Sequence, residues 1–67
     1  MTLFFDDLIA QIEVFDSLEL EAAREYGIME NELTNPGFKE LVGKIRIDEL
    51  YHSKMCREVI DYLNQVG

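Results

Sequence analysis

Only one stretch of this chain breaks helical periodicity: Asn31-Glu32-Leu33-Thr34-Asn35-Pro36-Gly37. Asn35 precedes a proline, which disfavours helical backbone at that position. Its side chain suits an N-cap, and Pro36 then takes the first helical position, where a missing N–H costs nothing. The pattern predicts a first helix from about residue 3 to about 30, a turn over about 31–35, and a second helix over about 36–66. Gly27 leaves the end of the first helix open, as a C-terminal cap or a tolerated interior glycine. At 1.5 Å per residue the helices are roughly 40 Å and 45 Å long. Nothing between them reads as a strand, and there is no repeat or low-complexity tract. The expected fold is all-α, an antiparallel two-helix hairpin forming one domain over residues 1–67.

The phase of each helix carries more information than its length. At about 100° per residue, the first helix places Phe5, Leu8, Ile12, Phe15, Glu19, Ala22, Ala23 and Tyr26 on one face. The second places Phe38, Leu41, Val42, Ile45, Glu49, His52, Cys56, Val59, Ile60 and Leu63 on one face. Each stripe is apolar above and below and is interrupted near its middle by ligand-type residues. Burying an unpaired carboxylate is costly, so Glu19, Glu49 and His52 call for compensation. A further apolar set lies off the stripes: Val14, Leu18, Leu20 and Ile28, then Ile47, Leu50, Tyr51, Met55 and Tyr62. A lone hairpin has nowhere to bury that second set, which predicts a homo-oligomer, a dimer at least.

Size points the same way. A chain of 67 residues buries only about 60% of its unfolded surface, and scaffolds this small usually need a disulfide, a metal or a second chain. Cys56 is the only cysteine, so an intrachain disulfide is excluded and the metal and the second copy remain. With 48% hydrophobic residues the chain is too apolar for a disordered acidic tail.

Charge narrows the partners. Six Lys and Arg stand against 14 Asp and Glu, for a net charge of −8. The basic residues are scattered among acids, which argues against nucleic-acid binding. No apolar run reaches the 18–20 residues that span a bilayer, so no membrane insertion is expected. Asp6 and Asp7 stand where a secretion signal carries Lys or Arg, and the expected location is cytoplasmic.

Glu49-Leu50-Tyr51-His52 is an E-x-x-H unit. Spacing of three residues puts both side chains on one helical face, within reach of one ion. A carboxylate with an imidazole suits Fe, Mn or Zn, and a carboxylate-rich set tilts the choice toward Fe or Mn. On the first helix, Glu19, Ala22 and Tyr26 form the pattern E-x-x-A-x-x-x-Y, with Glu19 lying 30 residues before Glu49.

The pair of motifs resembles the ferritin-like superfamily, in particular the rubrerythrin and encapsulated-ferritin branches, over residues 12–60. The resemblance implies a half-bundle: two hairpins dimerise into a four-helix bundle and share a di-iron centre, with Mn or Zn as alternative metals. Glu19, Glu49 and His52 are the implied metal ligands, Glu49 bridging two irons and the other two terminal. It implies a ferroxidase that oxidises Fe(II) with O2 or peroxide in iron handling. Tyr26 joins the same residues as a candidate catalytic group, bonding a ligand carboxylate or acting in redox chemistry, with core packing as its other reading. Larger rings and an encapsulating shell protein are further implied partners, placing the chain inside a nanocompartment. Encapsulated ferritins carry a shell-docking tail after the second helix, whereas this sequence stops at Gly67, so either that tail was removed or the chain is not shell cargo.

Two copies supply four carboxylates and two imidazoles, the set that a dinuclear site in a four-helix bundle needs. Four ionised carboxylates gathered without metal repel one another, and two divalent cations neutralise them, so metal and dimer are expected to be linked. The rivals are a rubrerythrin-like peroxidase half-domain, a structural or sensing metal site, and a non-catalytic acidic dimerisation or interaction module. No Cys-x-x-Cys pair is present to feed a peroxidase with electrons. Asp16 and Glu30 lie near the phase of Glu19 as an access route for cations or as solvated surface acids. Cys56, Met29 and Met55 suit packing, and Glu21, Glu25, Glu40 and Glu58 suit an exposed face.

Overall fold

The computed structural model describes residues 3–66. Helix α1 spans Leu3–Glu32, residues 33–35 form the connection, and helix α2 spans Pro36–Val66. Asn35 starts α2 as the sequence predicts: its Oδ1 accepts the N–H groups of Gly37 at 2.9 Å and Phe38 at 3.1 Å. These are donors that no helical carbonyl can reach. Helix α1 runs straight through Gly27, which is interior, and Leu33 N–H still donates to Met29 O at 3.0 Å. Among the described residues there is no strand. Nor, among those residues, is any helix long and apolar enough to cross a membrane.

The contact between the helices follows a strict alternation of three and four residues. Ile12, Asp16, Glu19, Ala23, Tyr26 and Glu30 line it from α1; Val42, Arg46, Glu49, Ser53, Cys56, Ile60 and Leu63 line it from α2. That spacing is the heptad of two helices wound past each other. The seam is narrower than the stripes expected from sequence, and it is turned from them. Phe15, Phe38, Leu41, Ile45 and Val59 belong to the expected stripes but stand exposed, Phe15 at 63%. Periodicity at 3.6 residues marks a stripe at least 100° wide. A two-helix contact covers only a 3.5-residue seam, so the rest of each stripe is displaced to one side.

The core is consequently thin. Among the described residues only Ala23 and Leu63 are buried hydrophobics, and the seam buries Asp16 and Ser53 beside them, at 8% and 4% exposure. The molecule is a rod of 50 × 14 × 10 Å.

Antiparallel winding sorts the remaining residues onto two sides. Positions just before a seam residue fall on one side of the hairpin for both helices, and positions just after fall on the other. The first side carries Phe15, Leu18, Ile45, Met55, Val59 and Tyr62, all exposed, together with His52. The second side carries Arg24, Lys44, Lys54 and Arg57 among acids. It holds shallow grooves lined by such groups as Glu13, Ser17, Arg57 and Asp61. Leu20, Ile28, Ile47 and Leu50 punctuate that polar side.

Candidate metal centre

Glu19 comes from the middle of α1, and Glu49 and His52 from consecutive turns of α2. Seam positions bring Glu19 and Glu49 face to face, and His52 enters from the edge of the apolar side. One ligand atom from each of the three lies within 4.8 Å of the others, and they form a group able to hold a metal ion. The enclosure is graded: the Glu19 side chain is 16% exposed and His52 is 53% exposed. The group is therefore closed toward the seam and open toward the apolar face.

Two features of the polar chemistry fit a cation. Glu19 Oε2 is enclosed and accepts no hydrogen bond; it is the one such side-chain atom among the described residues. His52 Nδ1 stands 3.5 Å from it, close enough for an ion pair when the imidazole is protonated. A carboxylate oxygen shut away from water without a hydrogen-bond donor loses solvation that nothing but a nearby positive charge returns. The second feature is Glu49, whose carboxyl is held above the ordinary value of 4.5. Its hydrogen-bonding contact with Glu19 is the main cause, followed by burial and by the charge of Glu19, while His52 opposes the shift. Two carboxyls that favour sharing a proton form a place where positive charge is wanted.

The other sequence-derived candidates separate. Tyr26 is half-buried on the seam, seven residues from Glu19, which is about 10 Å of helix rise. It is not part of the three-residue group. Asp16 is buried and Glu30 part-buried, and each is paired rather than standing on a solvated face. Asp16 accepts the Ser53 hydroxyl proton and faces Arg57 at 3.4 Å. Glu30 accepts Arg46 Nε–H at 2.9 Å. Both share the phase of Glu19, as the sequence indicates, and continue its three-four spacing with Ala23 and Tyr26. Ser53 and Arg46 sit in phase with Glu49 and Cys56, a placement that residue type alone does not mark. Cys56 is half-buried in the seam with a free thiol.

Backbone proximity matters at one glycine. A Cβ at Gly43 would come within 3.1 Å of Glu30 Oε1. The missing side chain therefore makes room for the Glu30–Arg46 pair between the helices. Compared with protein-family models, curated proteins and solved structures, the chain gives no match.

Proposed function

We propose that this chain is one half of a ferritin-like di-iron protein that takes Fe(II) as substrate and oxidises it at a site completed by a second copy. The observation that carries this reading is the convergence of Glu19, Glu49 and His52 around an enclosed, unpartnered carboxylate oxygen. That group opens onto the apolar side of the hairpin, where Phe15, Leu18 and Met55 surround His52 by helical position. Packing two such sides about a two-fold axis brings together two Glu19, two Glu49 and two His52. The fit is chemical as well as numerical, since carboxylate oxygens with imidazole nitrogens suit iron or manganese.

The surface area supports a second copy. The chain exposes 5085 Å², against about 4,400 Å² expected for a compact protein of its mass. In this reading each residue has a definite task. Glu19 and Glu49 would neutralise the substrate ions, and His52 would supply a nitrogen donor from the apolar edge. The apolar side, once paired, shuts bulk water from the ions. Oxidation of two Fe(II) gives two Fe(III) and two electrons, which with two protons convert O2 to hydrogen peroxide.

The test uses the purified full chain. Anaerobic addition of Fe(II) is expected to bind close to one ion per chain and to shift native mass spectra toward dimer. Admitting air is expected to raise ferric absorbance faster than the buffer control, and Glu49→Ala is expected to abolish binding. A wild-type chain that binds no iron, with Glu49→Ala unchanged in assembly, overturns the reading in favour of a non-catalytic dimerisation module. Iron that binds but oxidises at the background rate leaves a structural or sensing site instead.

A further inference from the structure

We infer that the two polar clamps in the seam, Asp16–Ser53 and Glu30–Arg46, are register keys that position the ligand group lying between them. This rests on the metal reading given above and adds residues that do not touch the ion. Asp16 lies three residues before Glu19, and Ser53 directly follows His52. The Ser53 hydroxyl donates to Asp16 Oδ1, while Arg57 stands 3.4 Å from Oδ2. On the other side of the group, Arg46 Nε donates to Glu30 Oε2 at 2.9 Å, with both side chains part-buried. One clamp therefore sits on each flank of Glu19 and Glu49.

The apolar part of the seam is a poor register device. It consists of small or interchangeable groups such as Ile12, Ala23, Val42, Ile60 and Leu63. A helix displaced by one heptad still puts apolar against apolar, yet such a slide is about 10 Å. It would carry Glu19 away from Glu49 and His52 altogether. The short connection at residues 33–35 ties the helices together at one end only. Asp16 lies about 25 Å along α1 from that connection, where splaying and rotation of one helix against the other are least restrained. Buried polar partners resist both, because any other alignment strands a desolvated acceptor. Exchanging such pairs for apolar residues is often neutral or favourable to stability. Register and stability are consequently separable.

The experiment compares wild type with Asp16→Leu/Ser53→Ala and with the conservative Asp16→Asn, which keeps an oxygen acceptor for Ser53. Mn(II) binding is followed by its EPR signal. Separately and without metal, nitroxide pairs at Glu21→Cys and Lys54→Cys in a Cys56→Ala background report the interhelix distance, in samples diluted with unlabelled chain. For the double variant we expect unchanged helicity and a melting temperature equal to or above wild type. We also expect a broadened or displaced distance distribution and at least tenfold weaker Mn(II) binding. Asp16→Asn is expected to keep the wild-type distance and to bind within about threefold of wild type. A double variant with wild-type distances and wild-type affinity overturns the inference, as does an Asp16→Asn chain as weak as the double variant. Failure of the metal reading is distinguishable: there the wild-type chain itself binds no Mn(II), while the metal-free distances still report whether the clamps set register.

Discussion

Glu49 is the residue at which stability and function pull apart. Its carboxyl is held above 4.5 in the folded chain by the contact with Glu19, so the metal-free fold binds that proton more tightly than the unfolded chain does. A raised acid stabilises the fold below its unfolded value, and that stabilisation is lost as pH rises through the folded value. In chelator, the melting temperature is therefore expected to rise as pH falls from 7 toward 5. The rise should be smaller in Glu49→Gln, a comparison that cancels the titration of the other acids. With Mn(II) bound the dependence should reverse, because coordination needs both carboxylates deprotonated. A metal-loaded chain that gains stability on acidification would contradict this account. At the same scale, Asn35→Ala removes the acceptor for two N–H groups and is expected to cost about 1 kcal/mol in thermal or urea unfolding. The cap was legible in the sequence from residue type at short spacing, and the grouping of Glu19, Glu49 and His52 from the shared phase of the two helices. The clamps were not, because Asp16 and Glu30 have the composition of surface acids and only their long-range partners reveal them.

At the scale of elements, two glycines, each directly following a seam residue, offer a controlled comparison. A Cβ at Gly27 would meet Arg46 Cδ at an ordinary 3.5 Å, whereas one at Gly43 would press on the Glu30 carboxylate at 3.1 Å. Alanine is favoured over glycine inside a helix by up to about 1 kcal/mol. Gly27→Ala is therefore expected to stabilise the hairpin by most of that amount. Gly43→Ala should gain less or lose, since it displaces Glu30 from Arg46; paired urea titrations measure the difference. Helix boundaries came through the sequence well, α1 ending at Glu32 rather than near residue 30. Rotation about the helix axes did not. The 3.6-residue stripe correctly marked which residues are apolar, yet it could not apportion them between the partner helix and the open side. That division depends on the narrower 3.5-residue seam, which exists only once two helices are wound together.

For the whole molecule, the informative feature is its two-sidedness. Leu18 lies on the apolar side one position before Glu19 and is 58% exposed, so a charge there leaves the hairpin seam untouched. Leu18→Lys is expected to give monomers in sedimentation or native mass spectrometry and to weaken Mn(II) binding at least tenfold, with all three ligands intact. Dimers that persist in that variant would place the association surface elsewhere. The excess of apolar residues over what one hairpin can bury was legible in the sequence, and the structure leaves those residues exposed. The particular side was not, because Leu18, Met55 and Tyr62 could be told from Leu20, Ile28 and Leu50 only after the antiparallel winding was known.

The thin seam has a consequence for how long an unpaired copy survives. With only Ala23 and Leu63 as buried hydrophobics among the described residues, a solitary hairpin has little to hold it closed. Its open form is then populated at low concentration, and proteolysis tracks the population of the open form. Under the proposed pairing, newly made chains that fail to find a mate are expected to be the ones cleared, so that turnover itself would act as a census retaining matched pairs. Pulse-chase labelling at graded expression levels should show this directly, with half-life lengthening as abundance rises. A half-life independent of abundance would mean that the single hairpin holds itself together.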